Sequence, residues 1–155
     1  MAIQTDDKYR IRRNADQQEL MQKLIQSGVF AQYADVLMIS AVLGYLNKQF
    51  VPISKVAQDR VQITFFSEQD KDFIDFIAFA HEKKQKILNG FDESQKYSKY
   101  TIFENYANGG FPILIDKLDI NTDVEIDLKA TLLKYYLILM TANYEIGFDI
   151  ESVLL

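Results

Sequence analysis

The segment DVEIDLK, Asp123 to Lys129, sets three carboxylates and an amine close together. Carboxylate oxygens are hard ligands that suit Mg²⁺, and a nearby lysine can stabilise charge on a transferring phosphoryl group. On a strand, Glu125, Asp127 and Lys129 share one face, loosely like the acidic–x–lysine part of a nuclease motif. Asp116 and Asp119 lie just upstream. On a helix these residues do not form that array, and capping with solvent exposure accounts for them without catalysis. A metal-dependent nucleic-acid enzyme is therefore an alternative rather than the leading reading. No catalytic, cofactor-binding or metal-binding residue is assigned, and no cofactor is expected.

The remaining side-chain chemistry is sparse. The chain has one histidine and no cysteine. This excludes disulfides, zinc–thiolate sites, cysteine nucleophiles and iron–sulfur ligation by cysteine. His81 lies beside an apolar face and reads as a structural or surface side chain. A serine–histidine–aspartate triad has no GxSxG elbow to mark its nucleophile. A second acidic set, Glu68, Asp70, Asp72 and Asp75, opens a helix, where negative charge complements the helix dipole. Lys8, Arg10, Arg12 and Arg13 form the one dense basic group and are the candidate nucleic-acid contacts. The net charge of −5 disfavours broad binding to a phosphate backbone. A solvated arm or a partner-binding segment explains the same residues.

The elements that would position these groups are mostly helical. In KYRIRR, Tyr9 and Ile11 alternate with basic residues as in a short strand, within an arm spanning residues 1–13. Asn14 offers a helix cap with Gln17 at the reciprocal position, and Leu20, Met21, Leu24 and Ile25 follow at helical spacing. Gly28 suits the left-handed position after that helix, with Val29 placed to pack on Leu24. YADVLMISAVLGYL carries apolar residues around most of its circumference and predicts a central helix, where Gly44 permits close packing. Val61, Ile63 and Phe65 alternate with polar residues. They form either a strand paired with KYRIRR or an irregular crossover. Ser67 and Asp70 make a capping box for a helix whose core face is Phe73, Ile74, Phe76, Ile77 and Ala80, stopped at Asn89–Gly90 with Phe91 over its end.

The next helix restarts at Asp92 and Gln95 or nearer Ser98. Its Tyr97, Tyr100, Phe103 and Tyr106 make a contact stripe that fits packing better than a nucleic-acid platform. In ANGGFP, Gly110 is expected to end this helix, with Tyr106 and Phe111 meeting across the turn and Pro112 opening the next element. The phosphate-loop alternative lacks GxxxxGK[ST] and has a helical pattern before the glycines. Thr122 and Glu125 form a further capping box, although VEIDLK also alternates like a strand. The last helix is expected to bury Val124, Leu128, Leu132, Tyr136 and Leu139, with Tyr135 and Met140 at the margins. FDIESVLL either docks on the core or binds a partner.

No repeat, low-complexity tract or proline-, glycine- or serine-rich linker divides the chain. The expected fold is mainly α: a compact bundle of five or six helices with a short β element, in a single domain over residues 1–155. The N-terminus lacks the apolar core of a signal peptide, and VLMISAVLGYL is too short to span a membrane. A cytoplasmic protein without a membrane partner is expected.

The segments YADVLMISAVLGYLNKQFVPIS and IFENYANGGFPIL, with the basic residue Arg60 between them, resemble the Dnd-system-associated protein 4 family of bacterial DNA phosphorothioation systems. The resemblance covers approximately residues 30–115. It implies an accessory role in DNA modification or antiphage defence, and it brings no established active site. The leading expectation is an adaptor that binds another protein of the defence system, with Arg60, Tyr97 and Tyr100 as candidate partner contacts. Noncatalytic DNA binding through the basic arm is the other alternative. The oligomeric state is left open.

Overall fold

A computed structural model describes residues 8–89 and 98–154, with side chains except at 84–89 and 154. Five α-helices dominate the described residues: α1 (Gln18–Gln26), α2 (Tyr33–Leu46), α3 (Glu68–Asn89), α4 (Lys99–Leu118) and α5 (Leu128–Leu154). Two short strands, β1 (Arg10–Ile11) and β2 (Val61–Gln62), pair antiparallel, with Arg10 opposite Gln62 and Ile11 opposite Val61. Of the two alternatives for Val61 to Phe65, pairing with the KYRIRR segment is present but confined to Val61–Gln62. Residues Ile63–Phe65 turn as a 3₁₀ segment.

Local signals set most helix starts. Asn14 accepts from the Asp16 amide and opens a 3₁₀ turn that leads into α1. Gly28 follows α1 at φ +88°, a conformation that suits glycine. Ser67 and Asp70 bond each other's backbone amides at 3.0 Å, the reciprocal box ahead of α3. Ser98 accepts from the Thr101 amide and caps α4. The expected restart at Asp92 and Gln95, and the stop at Gly90 and Phe91, lie outside the described residues. α5 departs from expectation: Asp127, not Thr122, accepts from the Ala130 amide at its start. Thr122 and Glu125 lie in the connection before it.

α2 is the central helix, buried at most positions between Ala34 and Tyr45, and its main neighbour is α4. Their crossing overturns the reading of ANGG as a stop. α4 runs unbroken through Gly109, Gly110 and Pro112 and ends at Asp119, whose φ of +54° supplies the left-handed cap. The glycines serve close approach instead. A β-carbon on Gly110 would fall under 3.0 Å from the Ser40 carbonyl oxygen, and one on Gly44 equally close to the Tyr106 carbonyl. One on Gly109 would lie as close to the Gln49 carbonyl. Small residues at both faces let the two backbones touch, as in small-xxx-small helix pairs. Tyr106 and Phe111 do not meet across a turn; both are buried along α4.

Pro112 inside α4 has no amide hydrogen, so the Asn108 carbonyl loses its intrahelical donor. Gln17 supplies a replacement, donating Nε2 to that carbonyl at 3.1 Å. This is why Gln17 does not return to cap its own helix. The Asn108 side chain completes the joint: its Nδ2 donates to the carbonyls of Val51 and Pro52, and its Oδ1 accepts from Asn14 and Gln17. A buried carboxamide with two donors and two acceptor sites is fully used there.

Two results should follow. Gly110→Ala should lower unfolding stability by about 3 kcal/mol or more, because backbone rather than a flexible side chain blocks the methyl. Gly147→Ala, with nothing within 4 Å of its added carbon, should instead gain about 0.5–1 kcal/mol. Urea unfolding of both variants measures the contrast. In a double-mutant cycle, Gln17→Ala should cost about 1–2 kcal/mol in the native background and clearly less in Pro112→Ala, where a restored amide takes the Asn108 carbonyl. Equal losses would refute that exchange of donors.

Candidate interaction surfaces

Glu104, on α4, is almost fully buried and organises the N-terminal arm. Its carboxylate accepts from the Arg12 amide at 2.6 Å, from Arg12 Nε at 3.0 Å and from the Tyr9 hydroxyl at 3.1 Å. Arg12 Nη2 completes an ion pair at 2.9 Å. Tyr9 then stacks on Tyr100, with ring centroids 4.1 Å apart and 17° between planes. A buried carboxylate with this many charge-assisted donors fixes the arm against α4.

The arm's basic residues are divided by strand parity. Arg13 shares the inward face with Ile11 and is buried. Its guanidinium donates to the Asp59 carbonyl at 2.8 and 3.2 Å and to Gln18, and it lies 4.3 Å over the Tyr33 ring. Arg13 is therefore a core residue, and its place among the nucleic-acid contacts is corrected by its burial. Arg12 is committed to Glu104. Lys8, Arg10 and Arg60 are exposed. Arg10 stands in register with Gln62, and Arg60 precedes Val61, the partner of Ile11. Lys8 and Arg10 flank Tyr9 in the chain, Arg60 precedes the strand paired with Arg10–Ile11, and Tyr100 stacks on the Tyr9 ring. Tyr97 lies outside the described residues.

The other candidates for chemistry are tied into the fold. His81 Nδ1 is 2.7 Å from the Tyr106 hydroxyl and its ring stacks on Phe50 at 4.4 Å. Tyr45 donates to Asp149, joining α2 to α5, and Lys83 donates to the Val153 carbonyl. DVEIDLK is not a strand: Asp127 caps α5, and Lys129 lies on its first turn. Asp119 ends α4 and pairs with Lys134 at 3.0 Å. Among the described residues no three His, Asp or Glu side chains could hold one metal ion. A cleft of about 530 Å³ runs past Asn14, Gln17, Asn47, Gln49 and Asn108. Asn14, Gln17 and Asn108 are occupied with one another and with backbone there.

A second surface was not found from the sequence. α5 buries Thr131, Ile138, Ala142 and Val153, rather than the expected row of Leu128, Tyr136 and Leu139. Leu132, Tyr135 and Leu139 are half-buried, while Val124, Leu128, Tyr136 and Met140 are exposed. Leu133, Tyr136, Leu137, Met140, Tyr144 and Phe148 form an outward stripe at i, i+3, i+4, i+7, i+11 and i+15. Apolar residues at both faces were the available signal. They also left the helical period without a single preferred side. No described helix is long and apolar enough to cross a membrane.

The family model described as DNA sulphur modification system-associated protein 4 matches residues 10–143. The chain belongs to this family. The match takes in β1 through most of α5, a wider span than the two segments that carry the resemblance. Membership makes the chain an accessory protein associated with a DNA sulphur-modification system. No curated protein and no solved structure matches it.

The anchored arm has a titration consequence. Burial first, then the Glu104 charge, pushes the Tyr9 phenol up to about 12 from an ordinary value of 10.0. Burial with Asp149 raises Tyr106 to about 12, and burial with Asp35 and Tyr136 does the same for Tyr135. Folding thus favours the protonated phenols, and the contribution is full below pH 10. It is lost as pH rises through 12, where the folded protein must also give up these protons. Stability measured by urea unfolding should fall between about pH 10 and 12, and Tyr9→Phe should remove part of that slope. A pH-independent stability across this window would refute the account.

Proposed function

We propose that the chain acts as an adaptor, holding another protein of the sulphur-modification system through the corner formed by Lys8, Arg10, Arg60, Tyr9 and Tyr100. The observation that carries this reading is the fixed placement of Tyr9 and Tyr100. Buried Glu104 holds Arg12 and Tyr9, and Tyr9 holds Tyr100, before any partner arrives. Arginine and tyrosine contribute strongly at protein interfaces, and a pre-ordered surface loses less conformational freedom on binding. The positive groups stand on a chain of net charge −5. That contrast orients the corner toward an acidic surface on the partner. The role in antiphage defence follows from the system to which the family belongs.

Duplex DNA is the competing occupant, because Lys8 and Arg10 are suited to phosphate contacts. The overall acidity, the pairing of Arg12 with Glu104 and the burial of Arg13 weigh toward protein. The deciding experiment compares the chain with an Arg10→Glu/Arg60→Glu variant against each separately purified protein of the system. One partner should lose at least about tenfold in affinity. The melting temperature should hold, since both side chains are exposed. Unchanged binding to every partner would overturn the reading. Salt-sensitive binding to duplex DNA, lost in the same variant while no protein binds, would reassign the corner to nucleic acid.

A further inference from the structure

We infer that the outward stripe of α5 is a self-association surface on which a second copy of this chain packs antiparallel, with the two-fold axis near Met140. Leu133, Tyr136, Leu137, Met140, Tyr144 and Phe148 are each 59–71% exposed. At roughly 200 Å² per large side chain they leave roughly 700–800 Å² of apolar surface open, above the usual patch on a monomer. That is about one partner's share of a standard stable interface, roughly 800 Å². Two identical stripes supply both shares without any other protein. No charged residue interrupts the stripe, and Met140 lies at its middle.

Charge along the helix selects the occupant and its direction. From Leu128 to Leu139 the charges are Lys129 and Lys134, the latter held by Asp119. From Met140 to Leu154 they are Glu145, Glu151 and Asp149, the last held by Tyr45. Lys129 against Glu145 and Glu151 therefore carries the contrast. A helix favours the reverse arrangement, acidic at its N-terminus and basic at its C-terminus. α5 has neither an acid in its first turn nor a base in its last. An antiparallel copy sets the basic half of one α5 beside the acidic half of the other, twice by symmetry. A parallel copy sets like charges side by side. The helix is complementary to itself reversed, as an isologous interface requires.

The test uses the full chain, whose lack of cysteine allows single cysteines to report contact. Sedimentation at rising concentration should give twice the chain mass. Leu137→Glu/Met140→Glu should weaken that dimer by at least roughly 30-fold while retaining the helical circular dichroism signal. Met140→Cys should cross-link to itself on oxidation. Leu133→Cys and Phe148→Cys should cross-link poorly alone and well when mixed. A monomer at every concentration would overturn the inference and leave the stripe to a different protein. Self-cross-linking of Leu133→Cys equal to that of Met140→Cys would overturn the antiparallel arrangement. Because Arg10 and Arg60 lie off α5, the outcome is separable from that of the adaptor experiment.

Discussion

The fold depends on the contact between α2 and α4, where glycine and carbonyl oxygen meet without a side chain between them. Ser40 and Gly44 on α2 are one turn apart, as are Tyr106 and Gly110 on α4. Each helix offers a carbonyl where the other offers an absence of volume. The contact is therefore reciprocal, and it fixes both spacing and rotation. Once α4 is seated there, Phe103, Tyr106 and Phe111 are committed to the interior. Tyr106 then reaches His81 on α3 and packs edge-on against Tyr45. Packing densities near those of organic crystals leave little freedom to move one helix without the others.

The N-terminal segment attaches to α4 at two polar joints rather than by apolar area alone. Asn108 takes Asn14 and Gln17, and Glu104 takes Tyr9 and Arg12. The two anchors are four residues apart and therefore lie on the same side of α4. Between them Ile11 and Arg13 turn inward. The joints are specific because each buried acceptor is matched by donors from a single short stretch. The alternation that sends Ile11 and Arg13 inside leaves Arg10 exposed.

Signals confined to a few residues were legible in the sequence. The Asn14 cap, the Ser67–Asp70 box and the Gly28 terminus each depend on groups within about one turn, so their spacing carries the information. The double glycine failed because permissive backbone and missing volume are two properties of one residue. Gly28 uses the first, at positive φ; Gly44, Gly109 and Gly110 use the second, against a segment some sixty residues distant in the chain. Arg13 was misplaced for a different reason. Its charge argued for water, while its parity with Ile11 argued for the core; a backbone carbonyl, an amide and an aromatic face were available to receive it. At α5 the capping box at Thr122 lost to Asp127, which lies immediately before the helix.

α5, like α2, is apolar on more than one side, but α5 is not enclosed by its neighbours. A helix at the surface of a lone domain needs one apolar face, and a fully enclosed helix needs it all round. α5 meets neither case within a single copy. It is pinned to the body by Ile138, Ala142 and the Tyr45–Asp149 bond, yet large side chains stand on the side away from that body. Helix formation alone does not account for those residues, since exposed tyrosine and phenylalanine are weaker helix formers than alanine, lysine or glutamate. Nor does solubility, which exposed apolar side chains reduce. Their spacing at successive turns gives them a common direction, and a common direction has physical meaning only against a second surface. Under the self-association inferred above, that second surface is the same stripe on another copy of the chain.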